Sequence, residues 1–169
     1  LYTGLEIHSP DVSISHATIQ HNYGEGVYAT AGAMMASSTI SNSSGYGVYA
    51  SSAITLTNNT ISNNGSYPLR ISAGNISASL AATNTFSGNS PNALQAVGAT
   101  LSGSHSWATW LAAYPVHIGS LTVASGASLA LPAGMELRFG SETRFDVGGA
   151  LMAIGTETQP ITMTANSGT

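Results

Sequence analysis

Three stretches decide the fold: GLEIHSPDVSISHATIQHN over 4–22, GVYATAGAMMASSTISNSS over 26–44, and GVYASSAITLTNNTISNNG over 47–65. Laid over one another, they repeat the pairs Thr18-Ile19, Thr39-Ile40 and Thr60-Ile61 every 21 residues, and Thr85-Phe86 is a fourth, looser copy after four extra residues. Three residues beyond each apolar partner stand Asn22, Ser43, Asn64 and Asn89. Short apolar pairs recur in the same way: Leu5/Ile7, Val27/Ala29, Val48/Ala50 and Leu69/Ile71, with Ile14, Met35 and Leu56 between them.

A period near 21 with period-2 alternation inside it does not fit helical repeats. Each copy reads as two or three strands of about 3–5 residues parted by Gly, Asn and Ser turns. One copy cannot bury its inward side chains alone. Stacked copies can, each strand pairing with its equivalent one coil later at about 4.8 Å. The expectation is an all-β, right-handed parallel β-helix (a β-solenoid) of about seven coils of about 21–25 residues, the hand extended from parallel crossovers in ordinary sheets. Ile19, Ile40, Ile61 and Phe86 should form one inward ladder. Asn22, Ser43, Asn64 and Asn89 should form a second at a bend, where amides bond neighbouring coils and Asn tolerates left-handed backbone.

Composition narrows the function. Charged residues are 6% of the chain, lysine is absent, and the cations are Arg70, Arg138 and Arg144. A net charge of −4 without a basic patch argues against nucleic acid and against an electrostatic membrane surface. No apolar run approaches the roughly 20 residues of a spanning helix, so no membrane insertion is expected. Zero cysteines exclude disulfides and thiolate metal sites.

From about 115 the rhythm changes. Strand-like pieces at 121–123, 129–131, 135–139, 145–147, 151–153 and 161–163, parted by glycine turns, make two more coils taken three at a time. The expected stacking sets Leu121 on Phe145, Leu129 on Leu151 and Leu137 on Ile161. The string SLTVASGASLALPAGMELRFGSETRFDVGGALMAIGTETQPITMT, 120–164, resembles a segment common in large secreted bacterial proteins with right-handed parallel β-helix repeats. The earlier TIxxN copies resemble the repeat of pectate-lyase-like and surface proteins. The resemblance implies this fold and an extracellular or cell-surface location. It is weakly specific for function, since the scaffold hosts lyases, adhesins and spacers alike. One solenoid domain is expected, with TIxxN coils over 1–103, a Trp-containing loop or short helix over 104–117, and further coils over 118–169.

Within 104–115, Trp107, Trp110, Leu111 and Tyr114 have helical spacing, with Ser106 as a candidate N-cap. The plain reading is a segment packed on the solenoid's side. The sharper one is a sugar-stacking platform of Trp107, Trp110 and Tyr114 that makes polysaccharide a partner.

Catalysis finds little support. A lyase or hydrolase of this fold would need clustered carboxylates, whereas Asp11 and Asp146 fall in distant coils and Glu6, Glu25, Glu136, Glu142 and Glu157 are scattered. Glu136 and Glu157 come nearest, and the expected register parts them. His8, His16 and His21 fall in the first coil near Glu6 and Asp11, yet His16 aligns with Ser37 and Asn58, an ordinary outward or bend position. His105 and His117 stand apart. No metal, cofactor or catalytic residue is assigned, and the chain is read as non-enzymatic.

Thr18, Thr39, Thr60 and Thr85, with Gln20, Ser41, Ser62 and Ser87, form an outward T-x-S face like that of ice-binding solenoids, which β-propensity explains as well. Sequons stand at Asn42, Asn58, Asn64 and Asn75. The chain opens inside a coil at LYTGLEI and ends inside another at PITMTANSGT, without a visible leader or an obvious cap. It is therefore expected to be one unit of a tandem array or end-to-end filament. Self-association would run through the open ends, from Leu1 to Ile7 and from Ile161 to Thr169.

Overall fold

Alternation within three- and four-residue strands is the local rule, and it sorts every coil into inward and outward columns. The computed structural model describes residues 3–76, 80 and 83–166. The chain is all-β, with parallel strands stacked as a β-solenoid of about seven turns. It divides into two compact units, Leu1–Ile71 with Ser79–Leu94, and Ser72–Ala78 with Gln95–Thr169.

In the first unit each of the first three turns contributes three strands, and the fourth contributes two among the described residues. They are β1 (Leu5–Ile7), β2 (Val12–Ser15) and β3 (Thr18–Gln20), then β4 (Val27–Ala29), β5 (Ala33–Ala36) and β6 (Thr39–Ser41). After them come β7 (Val48–Ala50), β8 (Ile54–Thr57), β9 (Thr60–Ser62), β10 (Leu69–Ser72) and β11 (Thr85–Ser87). The sequence register holds. Leu5, Val27, Val48 and Leu69 stack, as do Ile14, Met35 and Leu56, and Ile19, Ile40, Ile61 and Phe86. Ile40, Ile61, Val27, Val48 and Leu69 are fully buried, and burial of this kind stabilises by about 1.5–3 kcal/mol per aliphatic side chain.

The Asn/Ser ladder is present, buried at Ser43, Asn64 and Asn89 and half-buried at Asn22. Asn22 Nδ2 donates to Ser43 Oγ (3.2 Å), the Ser43 N–H to Asn64 Oδ1 (3.0 Å) and the Asn64 N–H to Asn89 Oδ1 (3.1 Å). Its backbone differs from expectation. The left-handed residues are those just before the ladder, His21, Asn42, Asn63 and Gly88, because the chain must reverse before the ladder amide can point inward. A second ladder runs on the other side of the Thr-Ile strand and was not foreseen. The Ala17 N–H donates to Ser38 Oγ (3.1 Å), the Ser38 N–H to Asn59 Oδ1 (3.0 Å) and the Asn59 N–H to Asn84 Oδ1 (3.0 Å). Left-handed His16, Ser37 and Asn58 precede it. The paired asparagines Asn58-Asn59 and Asn63-Asn64 thus divide two tasks, the first turning the chain and the second satisfying buried amides.

β12 (Leu94–Val97) lies on the division between the units. The second unit contains β13 (Ala99–Leu101), β14 (Ser104–Ser106), β15 (Val116–Ile118), β16 (Leu121–Val123) and β17 (Ser128–Leu131). β18 (Glu136–Phe139), β19 (Phe145–Val147), β20 (Ala150–Ala153) and β21 (Thr162–Ala165) complete it. Leu121 stands opposite Phe145 and Leu129 opposite Leu151, as expected. Leu137 does not stack on Ile161; its partner is Met163, and Glu136 faces Thr162. A shift of two residues keeps the same face inward, so alternation alone could not choose between Ile161 and Met163. The turn chooses: the Thr156 N–H bonds the Gln159 carbonyl, Pro160 follows, and the first ladder bond of β21 runs from the Thr162 N–H to Met135 O (2.8 Å).

Within 104–117 a short helix is present, but it starts later than the Ser106 cap implied. Ser106 does not cap a helix but ends β14, which pairs with Ser128–Ala130 of β17. A 3-10 helix over Thr109–Ala113 follows, with Ala108 at its N-cap position and no side-chain cap. The Trp107 N–H donates to the Ala130 carbonyl, so the ladder bond wins over the helical spacing.

Candidate functional site

The outer face of β1, β4, β7 and β10 carries a column unlike the others. Gly26 and Gly47 open the strands Val-Tyr-Ala, whose Val and Ala point inward and leave Tyr28 and Tyr49 outside. A Cβ on Gly47 would lie 2.7 Å from the Pro68 carbonyl, so the backbone can approach this closely only without a side chain. The register sets Glu6, Tyr28, Tyr49 and Arg70 on successive coils. Beside them, at the preceding turn, stand Glu25, Tyr46 and Tyr67.

The aromatic rings form one cluster. Tyr28 and Tyr49 are 5.0 Å apart between centroids, Tyr46 and Tyr49 5.7 Å, and Tyr46 and Tyr67 6.3 Å. Arg70 closes one end. Its Nη1 donates to Tyr46 Oη (2.7 Å), and its guanidinium lies 4.7 Å from the Tyr49 ring centre and 5.3 Å from that of Tyr46. A cation over an aromatic face gains about 0.5–2 kcal/mol. Burial pushes the Tyr67 phenol above its ordinary value, with Tyr46 adding to the effect.

At the other end a depression of about 290 Å³ opens, lined by Thr3, Glu6, Glu25, Tyr28 and Tyr49. Thr3 Oγ1 donates to Glu25 Oε2 (3.3 Å), and His8 Nε2 lies 3.4 Å from Glu6 Oε2. Arg138 pairs with Glu136 (2.6 Å) and Arg144 lies 3.9 Å from Asp146. With Arg70 on Tyr46 and no lysine in the chain, neither Glu6 nor Glu25 faces an arginine or lysine among the described residues.

The residues singled out from sequence are placed as follows. Trp107 is 2% exposed and belongs to the core, so it offers no face to a sugar; Trp110 and Tyr114 are half-buried. His8, His16 and His21 do not converge: His16 and His21 occupy exposed left-handed turns, and His8 bonds Thr30 Oγ1 (2.8 Å). Among the described residues no three His, Cys, Asp or Glu side chains lie close enough to hold a metal ion. Thr18, Thr39, Thr60 and Thr85 stack in register, but Ser41 of the T-x-S face is buried. Asn42 and Asn58 are exposed, whereas Asn64 is 2% exposed with its amide spent on Asn89 and Ile40; Asn75 lies in a 3-10 turn, and Ser77 of its sequon is outside the described residues. The tyrosine column was missed because each Tyr looks like an ordinary outward residue; the signal was the 21-residue recurrence of Tyr28/Tyr49 and of Tyr46/Tyr67.

The sequence matches the family described as "Right handed beta helix region" over residues 1–106, more than half of the chain. The chain belongs to the right-handed β-helix family. No curated protein matches it, and neither does any solved structure. The match covers the coils that carry both asparagine ladders and the tyrosine column of this β-helix, and stops short of the 120–164 string.

Proposed function

We propose that this β-helix is a non-enzymatic structural module of an extracellular or cell-surface protein of the secreted bacterial type, working as one unit of a tandem array or end-to-end filament. One observation supports the end-to-end part of this reading. Inward columns buried within each unit become exposed on the outermost strands. Val123 and Leu137 are fully buried, while Val147 and Met163, one coil further in the same columns, are 45% and 44% exposed. Leu5, Val12, Ile14 and Ile19 are likewise only half-buried, whereas Val27, Met35 and Ile40 above them are buried. Outermost strands also present unpaired N–H and C=O groups, a template for another coil. The segments expected to meet, from Leu1 to Ile7 and from Ile161 to Thr169, include residues 1, 2 and 167–169, which lie outside those described.

Sedimentation and negative-stain imaging across a concentration series test the stacking. Elongated multiples are expected, and Val147→Lys with Met163→Lys should return them to single units. Monodisperse single units at every concentration would overturn end-to-end association. Antibody labelling of intact source cells tests the surface location, and signal only after lysis would overturn it. Trp107 gives no platform for a polysaccharide, because its buried indole cannot stack a sugar, which leaves only the half-buried Trp110 and Tyr114 of that set.

A further inference from the structure

We infer that the depression at the Glu6 end of the tyrosine column is a binding site for a small organic cation, an ammonium group with or without methyl substituents. Thr3 and Glu6 fall in the Leu1–Ile7 segment that the end-to-end reading sets against another unit, so the titrations that test it are run on the Val147→Lys, Met163→Lys variant, which keeps the two readings distinguishable. The column already holds one cation: the Arg70 guanidinium sits on Tyr49 and Tyr46 at one end, which shows what this aromatic surface accepts. At the opposite end the lining combines the tyrosines Tyr28 and Tyr49 with the carboxylates of Glu6 and Glu25.

Three features set the ligand class. Ring faces attract a cation through their quadrupole, and they do so best where water is partly excluded, as in a concave site. Two carboxylates without an arginine or lysine partner favour a positive ligand and repel an anion. The volume, about 290 Å³, lies at the small end of ligand sites and suits a headgroup-sized molecule, not a long polymer. Thr3 and His8 help to fix the carboxylates, through the 3.3 Å bond to Glu25 and the 3.4 Å approach to Glu6. The chain's net charge of −4 adds long-range attraction of the same sign.

The test is calorimetric titration of the whole chain with choline, glucosamine, 3,3-dimethylbutanol (the neutral isostere of choline), N-acetylglucosamine and calcium. Either ammonium should bind at least about tenfold more tightly than its neutral counterpart. Preference for choline would assign methylated ammonium, and preference for glucosamine a primary amine on a sugar. Glu25→Gln and Tyr28→Leu should each weaken binding about tenfold, and Tyr28→Phe should retain it. Should Tyr28→Leu fail to fold by circular dichroism, Glu6→Gln with Glu25→Gln decides. Equal binding of the neutral isosteres would make the site a general apolar or sugar platform and overturn the inference. So would displacement of choline by calcium at similar concentration, or no binding of either ammonium.

Discussion

Replacing Asn64 with alanine removes one rung of the Asn22–Ser43–Asn64–Asn89 ladder, and the bonds fix the cost. Asn64 Oδ1 accepts the buried Ser43 N–H at 3.0 Å, and Nδ2 donates to Asn89 Oδ1 at 2.9 Å and to the Ile40 carbonyl at 3.4 Å. Asn89 Oδ1 keeps the Asn64 backbone N–H, so it is not orphaned. The Ser43 N–H is. A buried donor without a partner costs about 1–3 kcal/mol, and the small void left by the amide raises the total to about 2–4 kcal/mol. With a urea slope of about 2 kcal/mol/M, the unfolding midpoint followed by far-UV circular dichroism should fall by about 1–2 M at unchanged slope. The neighbour supplies the control. Asn63 is exposed and left-handed, with φ 55°, so Asn63→Gly keeps the backbone it needs and should move the midpoint by less than about 0.5 M. Equal shifts for the two variants, or a shift under about 0.3 M for Asn64→Ala, would refute the ladder as the source of stability.

Other consequences follow from the same geometry. Gly47→Ala drives a Cβ against the Ile61 side chain and the Pro68 carbonyl and should destabilise by about 1–3 kcal/mol in the same denaturation assay. Trp107→Ala empties a core position and should cost about 3–5 kcal/mol, with a loss under 1 kcal/mol counting against burial of the indole. Burial, helped by Arg138 and opposed by Glu136, holds His117 below its ordinary value near 6.5. The unfolded chain therefore binds the extra proton first, so this contribution is complete above about pH 6.5 and is lost as pH falls below it. His117→Gln should flatten that acid limb in a pH series of unfolding midpoints. In a host that N-glycosylates, peptide mapping should find Asn64 unmodified, because its amide is buried and bonded.

The fold was legible because a solenoid writes its contacts into sequence spacing. Thr18-Ile19, Thr39-Ile40 and Thr60-Ile61 sit 21 apart because they touch. The same logic failed where period and turn decouple. Ile161 and Met163 have the same parity, so the choice fell to the 155–160 turn, which no repeat describes. At Ser106 and Trp107 the helical spacing was outvoted by the β14–β17 ladder, a partner 24 residues away, and only Thr109–Ala113 became helical. The second asparagine ladder hid for a subtler reason: its first rungs are Ala17 and Ser38, so like residues do not recur until Asn59 and Asn84.

That contrast separates stability from recognition along the stack. A ladder that only holds coils together works best with like upon like, since each rung presents the same shape and bonding groups to the next. Ile40 on Ile61 and Asn64 on Asn89 meet that condition. The column Glu6, Tyr28, Tyr49, Arg70 breaks it, changing from anion to aromatic to cation over four coils. Such a gradient adds little to coil stacking, because exposed charges contribute at most about 1 kcal/mol. It does create two different ends on one aromatic surface, one occupied by the chain's own guanidinium and one open between carboxylates. Stacking alone would be served as well by four tyrosines or four threonines. Substituting Glu6 and Glu25 by glutamine should therefore leave the unfolding midpoint within about 0.5 kcal/mol of the parent while abolishing ammonium preference. A large loss of stability in that double variant would return the column to the structural ladders.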